Sequence, residues 1–310
     1  MSDFNLIAFD QTTRLRADLS SGNLEGIRST LSELRYSLND ETLQAKTVPL
    51  LREAVERYSY QLVECFLQSH VALSSKLVLK ATINASYQTL EVFLTHGWDI
   101  NAPVDSNTPA ALTFSFYDFK LTQWFLAYEA DSNRRCYEHT DQPPLSVALE
   151  KAPFAIIELL LDHSASLQHG QVIHYAAMRE LDDRLEVLQY LLDRQHPLND
   201  IMYQNCGDEY YFHMYSSIGT PLHYGAGKEL LDYVTFLVQH GASIEIRDPL
   251  GQIAADWARR YGHSAVFDFL QHSSAGSNTE SNLQFTDAPG CHFKTASLQE
   301  VIRKNGFRLV

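Results

Sequence analysis

The chain has 310 residues, 45% of them apolar and 20% charged, with 38 Asp and Glu against 24 Lys and Arg and a formal charge of −14 at pH 7. Such a charge repels a phosphate backbone, so no nucleic-acid partner is expected, and no run reaches the roughly 18 apolar residues of a membrane helix. Cys65, Cys136, Cys206 and Cys291 lie far apart with no C-x-x-C pair, which argues against a disulfide framework or a structural zinc site and fits reduced thiols in the cytoplasm or nucleus.

The opening MSDFNLIAFDQTTR has neither the basic start nor the apolar length of a secretory signal, and residues 1–10 read as an extension. From residue 11 onward a helix-turn-helix pattern recurs. The last helical apolar residue before each turn falls at Leu31, Leu67, Leu94, Leu126, Leu161, Leu192, Val238 and Leu270. Five of the seven intervals run from 31 to 36 residues; the others are 27, from Leu67 to Leu94, and 46, from Leu192 to Val238. The spacing predicts an all-α solenoid of about eight units over residues 11–272, each burying its apolar face on its neighbours.

In chain order, LSSGNLEGIRSTL puts Gly22, Asn23 and Glu25 at the turn of the first unit. The 27-residue interval is too short for a projecting hairpin, so HVALSS should join two helices directly. Thr108 and Pro143 precede Leu126 and Leu161 by 18 residues, the spacing from Thr220 to Val238. A closing turn recurs as FLTHGWDIN through Asn101, FLAYEADSN through Asn133 and LLLDHSAS through Ser166. In GTPLHYGAG from Gly219, the Thr220 hydroxyl can cap a helix whose first residue, Pro221, has a suitable fixed φ. LVQHGAS ends the second helix of that unit, and GQIAADWARRYGHSAVFDFL from Gly251 restates the pattern. Residues 273–310 begin as a polar linker, after which Ser297 and Glu300 have capping-box spacing for a short final helix.

GTPLHYGAG, LVQHGAS and their weaker copies resemble the ankyrin repeat, a β-turn plus two antiparallel helices of about 33 residues. Clear copies confined to the C-terminal half make the chain similar to fungal intracellular ankyrin-repeat proteins. The resemblance implies an ankyrin-repeat α-solenoid that binds another protein, without a cofactor. It also implies that His174 and His223, at equivalent positions, bond within and between repeats rather than catalyse.

The 46-residue interval holds about 13 residues more than the period, within NDIMYQNCGDEYYFHMYSSIG, where the β-hairpin finger of a repeat would stand. Tyr203, Tyr210, Tyr211, Phe212 and Tyr215 concentrate there, a density suited to recognition or to self-packing on neighbouring fingers. A second row is expected on the inner helices at Tyr175, Tyr224 and Trp257, with Arg179, Lys228 and Arg260 one turn on, the alternative for Trp257 being a place in the core. That row could receive an acidic peptide or an anionic small molecule. The leading reading is a protein-interaction module gripping its partner through a concave groove and the 200–218 finger. The alternative is an atypical enzyme or small-molecule binder with a pocket between the finger and the inner helices, using His213, Asp208, Tyr211 or Tyr224. Cys206, Asp208, Glu209 and His213 match no metal-site spacing, and no metal is expected.

Overall fold

A computed structural model describes residues 2–106, 108–135, 142–168, 170–216 and 218–275. The expected linker beyond 275 and the final helix lie outside these residues, as do Cys136 and Cys291.

Helices come in pairs. The first four pairs are α1 (Ser2–Ser21) with α2 (Leu24–Ser37), α3 (Asp40–Glu56) with α4 (Tyr60–Gln68), α5 (Ser75–Ile83) with α6 (Tyr87–Thr95), and a 3₁₀ turn (Ala111–Ser115) with α7 (Phe119–Ala127). Next come α8 (Pro144–Lys151) with α9 (Phe154–Asp162) and α10 (Val172–Ala177) with α11 (Arg184–Leu192). After a lone helix α12 (Gly207–His213), α13 (Pro221–Gly227) pairs with α14 (Leu231–Gln239), and α15 (Ala254–Tyr261) with α16 (Ser264–Ala275). All eight marker residues lie on the second helix of a pair. Helix α1 already starts at Ser2, so residues 2–10 belong to the first pair instead of preceding it.

Second helices pack on second helices (α2 on α4, α4 on α6, α7 on α9, α14 on α16), and first on first (α8 on α10, α10 on α13, α13 on α15). One apolar cluster results, continuous from Leu15 to Leu270, as expected where each unit touches only its neighbours.

The closing turn has one geometry after six of the second helices. After the second helix a residue takes a left-handed backbone: His70 (φ 59°), Gly97 (85°), Glu129 (63°), Ser164 (71°), Gln195 (61°) and Gly241 (93°). The next N–H then donates back five residues, as from Trp98 to Phe93, Ala130 to Phe125, Ala165 to Leu160 and Ala242 to Leu237, which satisfies a carbonyl at the helix end. Two of the six positions are Gly. Side chains at the other four strain the turn, and this is the reason the signature fades in most units.

Asn side chains tie three of these turns to the next. Asn101 accepts from Asp131 N–H and donates to the Glu129 carbonyl; Asn133 does the same with Ser166 and Ser164, and Asn199 with Ser243 and Gly241. Gln44 plays this part for the short connection, bonding the His70 carbonyl and Ala72 N–H. One finger is a true hairpin, β1 (Pro103–Asp105) antiparallel to β2 (Thr108–Ala110). Thr108 therefore stands in a strand and not at a helix start.

A helix on the 200–218 insertion

The inserted segment folds as a helix, not as the expected β-hairpin finger. Its base is closed by Met202 N–H donating to the Gly219 carbonyl over 3.1 Å. Gln171 sits where the next clear repeat has its capping Thr220, but its side chain serves the insertion instead. Its Oε1 accepts from Tyr203 N–H at 2.7 Å and its Nε2–H reaches Cys206 Sγ at 3.4 Å. Tyr203 has a left-handed backbone, φ 64°, and turns the chain into α12.

One side of α12 is anchored. Tyr203 is buried, its hydroxyl 3.4 Å from that of buried Tyr175 on α10. The His213 ring stacks on Tyr203 with centroids 4.9 Å apart. Glu209 is buried with one carboxylate oxygen 3.6 Å from the Arg135 guanidinium, and Tyr210 packs half-buried on the core. The other side is open: Tyr211, Phe212 and Tyr215 are 64%, 76% and 77% exposed. Tyr211 and Phe212 lie on the last turn of α12, and Tyr215 follows just beyond its end.

The expected inner-helix row is broken. Tyr175 and Trp257 are buried; Trp257 donates its indole N–H to Asp248 Oδ2 at 2.8 Å and meets the His223 ring edge-on. Arg179 is 0% exposed. Its Nε–H and Nη2–H each donate to Asp183 over 2.6 Å, and Nη1–H donates to the Leu149 carbonyl of the preceding unit. It is an internal strut and offers no charge to a ligand. The guanidinium in turn holds the Asp183 carboxyl below its ordinary range. Tyr224 stays half-buried, with Lys228 Nζ 5.9 Å from its ring centre; burial raises its hydroxyl pKa, helped by the charges of Glu180 and Glu150. Arg260 is exposed over Tyr261.

His213, Tyr211 and Tyr224 are not joined by a hydrogen bond among the described residues, and the Asp208 side chain lies outside them. The space between the insertion and the inner helices, lined by His174, Met202, Thr220, Tyr224 and Trp257, measures about 30 Å³, room for a water or two. A larger open cleft of about 400 Å³ lies against α16, between Ile244, Arg247 and Leu270. Among the described residues, no three His, Cys, Asp or Glu side chains gather as metal ligands, and no helix is long and apolar enough to cross a membrane.

Sequence reasoning missed Gln171, the Asn clasps and the pair of Arg135 with Glu209. The Asn clasps were visible as the recurrent final residue of FLTHGWDIN and FLAYEADSN. Gln171 and Arg135 carry no local signal, since their partners lie far along the chain.

Comparison with known proteins agrees with this geometry. The ankyrin-repeat family profile matches residues 219–249. A probable E3 ubiquitin-protein ligase, XBOS33, from Oryza sativa subsp. japonica is 39% identical over 56 residues, a match that spans 18% of this chain and 11% of that protein. The human ASB11 ankyrin repeat domain superposes with a TM-score of 0.52 at 16% identity, covering 72% of this chain and 96% of that one. A chain in the structure of the predatory endopeptidase Bd0816 from Bdellovibrio bacteriovorus with immunity protein Bd3460 aligns at 14% identity and a TM-score of 0.48, covering 64% of this chain and 99% of its own. The chain thus carries an ankyrin repeat at 219–249, and the same hairpin-and-turn geometry before and after it gives the chain the fold of an ankyrin-repeat domain.

Proposed function

We propose that this chain is a protein-interaction module whose contact face is the open side of α12. Ankyrin repeats generally bind proteins, and the observation that carries the assignment to α12 is its two-sidedness. Glu209, Tyr210 and the Tyr203–His213 stack fix the helix to the solenoid, while Tyr211, Phe212 and Tyr215 face water. Burying each such ring in a partner is worth about 2 kcal/mol, and holding them on an anchored helix lowers the ordering cost of binding. Single exposed apolar residues elsewhere, such as Tyr36 or Leu250, are ordinary for a surface. Cys65 and Cys206 form no disulfide among the described residues, and the proposal places the chain in a reducing compartment, the cytoplasm or nucleus.

A photo-crosslinking residue placed at Phe212, and for comparison at Tyr36, tests the assignment in the native cell. A saturable adduct at position 212 that is absent at 36 is expected. The same adduct at both positions, or none at 212, would overturn it.

A further inference from the structure

We infer that the partner meets this face with a basic surface, a step that rests on α12 being the interface. Residues 143–240, which form the units on either side of the insertion, contain thirteen Asp and Glu but five Lys and Arg. Four of the five cations are already engaged inside the chain. Arg179 is buried on Asp183, Arg184 donates to the Arg179 carbonyl, Arg194 lies 3.4 Å over the Tyr190 ring, and Lys151 is 3.3 Å from Glu150. Glu180, Asp182, Glu186 and Asp232 are exposed carboxylates. Exposed carboxylates of this span thus outnumber its exposed cations.

Next to α12 this charge surrounds an aromatic ring. Tyr203, on the insertion, covers Tyr175, but its counterpart Tyr224 on the next inner helix stays half-open. Met202, from the base of the insertion, and Tyr224 line the same small gap. Glu180 and Glu150 act on the Tyr224 hydroxyl, opposed by Arg184. The ring already carries one cation, Lys228, at 5.9 Å. A guanidinium or ammonium reaching this place gains the ring face and the Glu180 carboxylate, Glu150 being shared with Lys151, and the exposed rings of the insertion offer further faces of the same kind. An acidic ligand, the chemistry suggested by Arg179 in the sequence, would meet carboxylates with no free Arg179 to receive it. Complementary charge of this sort acts mainly on encounter rate and partner choice.

Fluorescence anisotropy with the full chain and labelled oligo-arginine and oligo-glutamate peptides of equal length tests the inference. Oligo-arginine should bind, more weakly as salt rises, and oligo-glutamate should not. Glu150→Gln with Glu180→Gln should weaken oligo-arginine binding about tenfold, and Tyr211, Phe212 and Tyr215→Ser at least as much. Glu25→Gln with Glu41→Gln, on distant α2 and α3, should change it little. Three results would each overturn the basic partner: absence of oligo-arginine binding, equal binding of oligo-glutamate, or equal loss in the distant control pair. If the adduct formed from position 212 is lost with Tyr211→Ser and Tyr215→Ser but unaffected by Glu150→Gln and Glu180→Gln, the interface stands and its basic chemistry is wrong.

Discussion

The Nε2–H of His223 donates to the main-chain carbonyl of Gln252 over 3.0 Å, tying one repeat to the turn of the next. Its Nδ1 accepts from Thr220 N–H at 3.2 Å, so the ring is neutral with its proton on Nε2. His174 repeats the outward bond, to the Asp200 carbonyl at 2.9 Å. The two histidines are thus inter-repeat clasps, and the second of them holds the base of the α12 insertion.

Replacing His223 with Ala leaves the Gln252 carbonyl and Thr220 N–H without their partner in a buried setting. Stability should fall by about 2 kcal/mol, read as a lower urea midpoint at unchanged slope. An unchanged midpoint would contradict the structural role.

Burial holds the His174 pKa down to about 4 and lowers that of His223 as well. The unfolded chain takes up these protons near pH 6.5, whereas folded His174 resists until about pH 4. Stability from the neutral clasp is therefore complete above pH 6.5 and is lost as the pH falls toward 4. The loss should reach roughly 2 kcal/mol by pH 5 for His174. Urea melts of wild type and His174→Gln at pH 7 and pH 5 isolate it: the variant should show the smaller loss between the two, and equal losses would contradict the assignment.

A methyl group at Gly225 would lie 2.4 Å from the ring of fully buried Tyr233. Gly225→Ala should cost about 2 kcal/mol or more through overpacking, measured by thermal melting. Gly225→Ala combined with Tyr233→Phe should recover little of that loss, because the ring and not its hydroxyl makes the contact.

Glu129 and Ser164 hold left-handed turns that Gly adopts freely. Glu129→Gly and Ser164→Gly should each raise stability by roughly 0.5–1 kcal/mol, the strain relieved less the added freedom of the unfolded chain. A decrease at both sites would mean that their side chains make contacts worth more than the strain.

The repeat was legible in the sequence because the marker residues Leu31 to Leu270 lie in or against the apolar core, which each unit needs independently. The left-handed turns were legible only where Gly occupies them, at Gly97 and Gly241, since Glu129 or Gln195 hides the same geometry. The insertion was found by its length and aromatics, but its form was not. Whether Tyr203 or Tyr211 turns inward is decided by Gln171 and Arg135, dozens of residues away. Arg179 was misplaced outward, and Trp257 was left open between surface and core, for a related reason. Asp248 and Asp183 stand ready to satisfy their polar groups inside, so an aromatic and a cation could both be buried.

The most direct test is the affinity of the partner crosslinked at Phe212 for wild type and for the variant with Tyr211, Phe212 and Tyr215 changed to Ser, with thermal melts of both. The account predicts matched melting and affinity at least 2 kcal/mol weaker in the variant. Matched melting with unchanged affinity would contradict it and move the contact surface away from α12.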